Sequence, residues 1–532
     1  MNRIVSSLLV ISVFWVLFLS GCSDQAIDPN DPNALRIIGG SELKDLKDTG
    51  LLDYIQQKSG VKIQLDESGS LAAVEKIAGE EVMYDGIWIP NGFYLEAFRD
   101  QIKHPPIASE KIFMSPVVLG IQRSLAQQYG WIGPDGFSKE EITWNDIREK
   151  VVSNQLQFYM TNMNSSNSGA LGVVGMMNGF LEKADPLTME DLKNENLIRS
   201  MKEFFQKGIK KSSGSSGWLA DIFLKEGGDA IVNYESVIAE LNKKGADLII
   251  VYPKEGIAMA DYPFYLLNEK KKEAYDRVLS VLKSQEFQRQ AMEKTNRRPL
   301  YGNIPLRLTG GIDTNRVLYS LPLPEDGKVL QEMIRLYLDE VKKPSQILFV
   351  LDMSGSMSGD RIERLRKSLL NLTGTDLSFS GQLARFTRQD HVTYILFNDR
   401  VNPPRSFEVT GKGDLEAMQQ FIQHETESGG GTAIYSALSE ALKQVLPGDE
   451  RYPTIVLLTD GENNRGISFD EFAKDYEAYT QKTGKRIPIY PILFGEGNVE
   501  EMKKLAEMSH GRTFDAIHEP LETIFKDVRG YN

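Results

Sequence analysis

The chain has 532 residues, 41% of them hydrophobic and 25% charged, which is the composition of folded globular protein and gives no reason to expect large disordered regions. Single cores stop growing near roughly 250 to 300 residues, so at least two domains are expected. A formal net charge of -13 argues against a nucleic-acid partner, whose phosphates call for a cationic surface.

Arg3 opens a segment that is almost uninterruptedly apolar from Leu8 to Leu19 and ends in Leu19-Ser20-Gly21-Cys22. A basic start, a short apolar stretch and small residues at its end form a secretion signal. The last four residues resemble the bacterial lipobox, which implies lipidation of Cys22 and a mature chain beginning there. An uncleaved anchor is the alternative, since the apolar run is close to the roughly 17 residues a spanning helix needs. The small residues before the cysteine favour the signal. Cys22 is the only cysteine, so no disulfide is expected. Residues 1–22 are read as a lipoprotein signal peptide. Residues 23–34, polar and proline-containing, are read as a tether. The body is expected to be extracytoplasmic, in the cell envelope, held to a membrane by lipid.

From Leu35 to residue 342, short apolar runs alternate with amphipathic helical patterns. Leu35-Arg36-Ile37-Ile38 precedes Gly39-Gly40, a helix is expected from Leu43 to Lys58, and Val61 to Leu65 reads as the next strand. This is βαβ punctuation. Lys211-Ser212-Ser213-Gly214-Ser215-Ser216-Gly217 reads as a solvated loop. An amphipathic stretch from Val329 to Val341 ends before Pro344, which places a domain junction near residue 343.

Residues 343–532 carry a second α/β rhythm. Ile347 to Leu351 is apolar on both faces, as a central parallel strand must be, and leads into Asp352-Met353-Ser354-Gly355-Ser356. A second strand, Thr454 to Leu458, delivers Thr459-Asp460-Gly461, and the loop Ser428 to Thr432 adds a hydroxyl before a helix from Ala433. Strand carboxyl ends are where open α/β sheets bind ligands. Hydroxyls and carboxylates are hard oxygens suited to a small dication, Mg2+ first, with Mn2+ or Ca2+ as alternatives.

These five positions, Asp352, Ser354, Ser356, Thr432 and Asp460, resemble the metal-ion-dependent adhesion site of the von Willebrand factor A family. The resemblance covers residues 343–532. It implies that hydroxyls hold the metal directly, that carboxylates act partly through water, and that a protein partner offers an acidic side chain to a vacant position. His391, His424, His510 and His518 have no carboxylate at ligand spacing in the sequence; they are expected at the surface, with no zinc site.

Residues 35–342 look like the type 2 periplasmic solute-binding fold, two α/β lobes around a cleft. The resemblance rests on Gly39-Gly40-Ser41, on Tyr84 to Pro90, on Ile112 to Ile121 as a lobe crossover, on Trp144 to Ile147, on Asn162 to Gly169 and on Asn233 to Ser236. In members that bind oxyanions, hydroxyls and helix N-termini surround the ligand. Ser41, Ser70, Ser168 and Tyr234 would play those parts here, or they are helix caps and turn residues with no ligand.

Neither region carries a nucleophile elbow, a Ser-His-Asp pattern or a phosphate-cradling Gly-Lys-Ser/Thr loop, so an enzyme is not expected. The expected fold is α/β throughout, a two-lobed solute-binding-like region followed by a doubly wound A-type domain. The expected function is an envelope lipoprotein that binds a protein partner through Mg2+, with the first region as sensor or spacer. The alternative is a solute receptor for transport or sensing, docked through the A-type module.

Overall fold

The computed structural model describes residues 27–79, 83–388, 390–424, 428–446, 448, 451–495 and 498–530. The expected signal peptide and Cys22 lie outside them. Among the described residues no helix is long and apolar enough to cross a membrane.

The first half builds two sheets. Strands β1 (Ala34–Gly40), β2 (Lys62–Ser68), β3 (Gly86–Trp88) and β4 (Ala108–Lys111) precede a crossing at Ile112 into β5 (Phe113–Gln122). Then follow β6 (Phe158–Thr161), β7 (Ile209–Ser213), β8 (Ala230–Tyr234), β9 (Leu248–Val251) and β10 (Met259–Ala260). The chain returns to the first sheet with β11 (Pro263–Leu266), and β12 (Arg298–Pro299) pairs β5. The orders are β2-β1-β3-β11-β4 in one lobe and β10-β5-β8-β6-β7 in the other.

Two local expectations are corrected. The helix expected from Leu43 to Lys58 is broken: Lys44–Asp48 and Leu51–Ser59 are separate helices. Gly50 between them has φ 72°, a conformation that side-chain-bearing residues avoid. The segment from Lys211 to Gly217 is no solvated loop. Its first residues complete β7, Ser213 is fully buried, and Ser215 caps the helix Ser216–Glu226 by accepting from the Trp218 N–H. Serine suits strand ends and helix caps as well as loops, and composition alone does not separate them.

The helix Gly327–Leu336 packs on the helix Phe93–Ala97 of the first lobe, and the turn Tyr337–Val341 packs on the helix Glu195–Gly208 of the second. Crossing both lobes, the chain enters the C-terminal sheet at β13 (Ser345–Asp352). Strands β14 (His391–Phe397), β15 (Arg405–Glu408), β16 (Tyr452–Thr459), β17 (Ile489–Leu493) and β18 (Phe514–Asp515) complete it, in the order β15-β14-β13-β16-β17-β18. Only the edge strand β15 is antiparallel. Every residue of β13 is buried. Ile347, Phe349 and Leu351 enter one core with the helices Asp360–Leu370 and Leu521–Arg529, while Leu348 and Val350 enter the opposite core with Ile434–Gln444 and Phe469–Thr483.

The two halves are docked against each other. Asn162 Nδ2 donates to the Gly530 carbonyl (2.7 Å) and Asn164 Nδ2 to the Leu383 carbonyl (3.1 Å). Lys526 Nζ lies 3.1 Å from Glu75 Oε1. Asn162 also accepts from the Tyr337 hydroxyl at 2.8 Å, so one buried amide ties the connector, the second lobe and the C-terminal helix together. Asn162→Ala leaves two buried polar groups unpaired and should lower stability by about 2 to 3 kcal/mol. Urea unfolding checks the loss. Amide exchange in Leu521–Arg529 should rise more than in Ile434–Gln444; an equal rise in both would show that the contact does not secure docking.

Candidate functional site

Parallel pairing of β13 and β16, with Leu351 opposite Leu458, brings Asp352 and Thr459 out at the same edge of the sheet. Asp352 is fully buried. Its Oδ2 accepts from the Thr459 hydroxyl (2.6 Å) and its Oδ1 from the Ser354 N–H (2.8 Å). Ser356 Oγ donates to Asp460 Oδ1 at 2.8 Å, and the Ser354 and Ser356 hydroxyls lie 3.1 Å apart.

The glycine-rich loop is stitched onto this turn by backbone bonds. The Gly355 N–H donates to the Gly430 carbonyl (3.1 Å) and the Gly429 N–H to the Met353 carbonyl (2.8 Å). Gly430 has φ 86°, and a Cβ there would meet Asp399 Oδ1 at 2.9 Å, so the turn requires glycine. Thr432 is held by Asn464, whose Oδ1 accepts from the Thr432 N–H (2.9 Å) and whose N–H donates to the Thr432 carbonyl (2.9 Å). A Cβ placed on Gly461 would lie 3.7 Å from Thr432 Oγ1 and 4.0 Å from Ser356 Oγ. Both hydroxyls therefore face the same small space. The geometry brings all five sequence-nominated residues to one point.

Burial holds the Asp352 carboxyl above the ordinary range, and the Asp460 carboxylate pushes the same way; hydrogen bonds from Ser354 and Thr459 oppose them. Two carboxylates converging in a buried pocket are relieved by a cation. Part of that role falls to Arg361, whose guanidinium bonds Asp460 Oδ2 and donates to the Ser356 carbonyl at 3.1 Å. Among the described residues no group of three or more His, Cys, Asp or Glu side chains has metal-holding spacing. A metal here would rest on the hydroxyls of Ser354, Ser356 and Thr432 beside the two aspartates, an all-oxygen set that fits a hard dication. Sequence reasoning missed Thr459, Asn464 and Arg361. Arg361 alone left a signal, a cation in the first turn of the helix that follows the serine turn.

The cleft residues meet in part. Ser168 Oγ lies 2.7 Å from Thr161 Oγ1 and 2.6 Å from Ser216 Oγ. Tyr234, as deeply buried as Ser168, stands beside it. Ser41 begins the turn after β1 and Ser70 the helix after β2, both on the facing lobe. The lobes touch: the Tyr94 hydroxyl donates to the Met163 carbonyl (2.6 Å) and Asn167 Nδ2 to the Asn91 carbonyl (2.9 Å). At the cleft mouth, where Glu75, Asn164 and Ser165 meet Lys526 and Asp527, lies a cavity of about 50 Å³. That admits water but no metabolite, since ligand pockets span roughly 300 to 1,000 Å³.

Inside the cleft sits a cluster that the sequence did not nominate. Arg297 lies over the Tyr262 ring (4.8 Å), pairs with Asp45 (2.5 Å) and donates to the Glu42 carbonyl (3.1 Å). Burial pushes the Glu42 carboxyl up to about 7, against the pull of its own backbone N–H and of Arg297. Three histidines pair with carboxylates that the sequence reading did not assign to them, although His518 is exposed as expected. His391 bonds Glu408 (2.7 Å), His510 bonds Glu226 (2.7 Å) and His518 bonds Asp515 (2.6 Å). The first pair comes from antiparallel register and the second from domain docking, neither visible as sequence spacing.

In comparison with known proteins, residues 346–526 match the von Willebrand factor type A domain family. Residues 35–294 match the bacterial extracellular solute-binding protein family. An inter-alpha-trypsin inhibitor heavy chain H3 from Mesocricetus auratus is 28% identical over 177 residues, 32% of this chain and 18% of its own length. An uncharacterized protein of Synechocystis is 26% identical over 188 residues, 34% of this chain and 39% of its own. The chain thus spans less than a fifth of the heavy-chain relative. Among solved structures, an extracellular solute-binding protein of Bordetella parapertussis has 16% identity and a TM-score of 0.42, covering 57% of this chain and 98% of its own. A von Willebrand factor type A protein of Catenulispora acidiphila has 16% identity and a TM-score of 0.29, covering 36% and 43%.

Folded Glu42 keeps its proton to about pH 7, whereas its ordinary value is 4.5. Between those values the folded chain binds more protons than the unfolded one, so stability falls as pH rises through that window. Urea midpoints at pH 5 and pH 7.5 should show the fall in the wild type and a smaller one in Glu42→Gln. Equal slopes in both proteins would remove Glu42 as its source.

Proposed function

On a chain that joins a bacterial solute-binding domain to a von Willebrand factor A domain, we propose an extracytoplasmic, lipid-anchored adhesion or assembly factor. Its A domain grips an acidic side chain of a protein partner through Mg2+, with Mn2+ or Ca2+ able to substitute. The observation that carries this reading is the convergence of Asp352, Ser354, Ser356, Thr432 and Asp460 from three loops onto one pocket of hard oxygens. When bound, the ion supplies an electrophilic position for an outside carboxylate. Ser354, Ser356 and Thr432 present the hydroxyls, Asp352 and Asp460 balance the charge, and Thr459 and Asn464 orient that set from behind. The reading assigns binding and not catalysis to the protein.

Arg361 competes with the ion for Asp460, because two cations on one carboxylate repel each other. It must swing away when metal arrives, and its 41% exposed side chain has room to do so. The solute-binding domain serves as sensor or spacer. The C-terminal helix across its cleft mouth favours that role over an open transport receptor.

Two substitutions test the reading by calorimetry with Mg2+. Asp460→Ala should weaken Mg2+ binding on the order of 100-fold and abolish metal-dependent capture of a partner from solubilised envelopes. Arg361→Gln should tighten Mg2+ binding by roughly tenfold. Partner capture that persists in EDTA and in Asp460→Ala would overturn the mechanism.

A further inference from the structure

The junction between the two halves buries a lysine whose amine makes no hydrogen bond among the described residues. Lys342 follows the turn Tyr337–Val341, its N–H on the Tyr337 carbonyl (2.7 Å), and its side chain meets Asp390 and Arg529. Asp390, just before β14, is already in use. Its Oδ1 accepts from the Ser345 N–H (3.2 Å), and its Oδ2 from the Thr387 N–H (2.9 Å), the Thr387 hydroxyl (3.1 Å) and Arg529 (2.8 Å). On the turn itself, Asp339 is held by Arg335 (3.5 Å) and Arg385 (3.3 Å), and Glu340 is exposed. Two cationic side chains thus share one carboxylate in a buried space. An ammonium placed there gives up its hydration and gains no hydrogen bond in return.

Arg529 stands in the last turn of the helix Leu521–Arg529. It donates to the carbonyls of Ala384 and Arg385 (3.2 Å each) and lies 5.5 Å over the Phe386 ring. The contacts that join the halves flank it on both sides. Gly530, the next residue, accepts from Asn162, and Leu383, one residue before Ala384, accepts from Asn164. A charge that repels Arg529 therefore acts on both of these hydrogen bonds at once, and through them on the cleft mouth.

We propose that Lys342 is a proton-operated latch between the halves: as a neutral amine it lets the C-terminal helix dock on the N-terminal lobes, and as an ammonium it drives that helix off. Burial pushes the Lys342 amine down to about 7, Arg529 pushes the same way and Asp390 opposes them. Undocking exposes the amine and returns it toward its ordinary value of 10.5. Between those values the undocked chain binds more protons than the docked one, so docking strengthens as pH rises from about 7 and is weakest below it. Other buried groups change charge lower down: Glu42 at about 7, Asp527 at about 6, and His510 below its ordinary 6.5. Lys211, also held below its ordinary value, pairs with Glu226 (2.5 Å) and is told apart from Lys342 by substitution. None of the metal loops takes part, so the latch stands independently of the proposed metal-dependent function.

The test is amide exchange on the full chain in detergent, read as protection factors at pH 7, 8 and 9 so that the base dependence of exchange itself cancels. In the wild type, protection of the helix Leu521–Arg529 and of residues 383–386 should rise roughly tenfold or more between pH 7 and pH 9. Protection of Ile434–Gln444, in the opposite core, should rise less. Lys342→Met carries no charge and should keep the high-pH protection throughout; Lys342→Arg never loses its charge and should keep the low-pH protection throughout. The variants act in opposite directions and circular dichroism checks each fold, so misfolding of one leaves the other decisive. Flat wild-type protection over that range, a rise that survives in Lys342→Met and so belongs to Lys211, or an equal rise in Ile434–Gln444 would overturn the proposal.

Discussion

Strands β13 and β16 lie side by side, parallel, with side chains buried on both faces, and the rest of the site follows from that pairing. A strand with apolar cores above and below has no face on which a polar residue is tolerated, so polarity is displaced to its ends. Parallel register then puts both carboxyl ends at one edge, where Asp352 meets Thr459 and Asp460. Each strand leaves that edge by its own crossover, and the glycine loop enters from a third direction. Residues separated by 107 positions share a hydrogen bond there. In an antiparallel pair the same residues would stand a strand's length apart.

The C-terminal helix extends this order across the molecule. Phe525 meets Phe349 of β13 edge to face, 5.8 Å between ring centres. The next residue, Lys526, and Gly530 just past the helix end engage Glu75 and Asn162 of the N-terminal lobes. The helix Asp360–Leu370, which follows the serine turn, also packs on it. A single helix is thus in contact with the central strand, with the helix that follows the serine turn and with the mouth of the cleft. The two domains are held by side-chain contacts as well as by the connecting chain.

Charge is sorted on the same scaffold. The carboxyl edge of the C-terminal sheet collects Asp352 and Asp460 with Arg361 as their cation, while at the amino edge Lys342 and Arg529 share Asp390. The overall charge of -13 conceals this, since a sum over a chain carries no positions.

The sequence by itself determined what rests on local pattern. The doubly apolar run Ile347 to Leu351 marks a central strand, Asp-x-Ser-x-Ser and Thr-Asp-Gly mark strand-end loops, and the alternation after Leu35 marks an α/β region; periodicity and turn chemistry act over a few residues and are written in a few residues. Only the tertiary structure decided that Arg361 reaches Asp460, that Glu42 and Arg297 share the cleft, that His391 faces Glu408, and that serines 212 and 213 belong to a strand. It also decided that Asn162 holds the carbonyl of Gly530, 368 positions away. Such contacts depend on the angle and register at which finished elements dock, which many side chains set together, so no single stretch of sequence displays them.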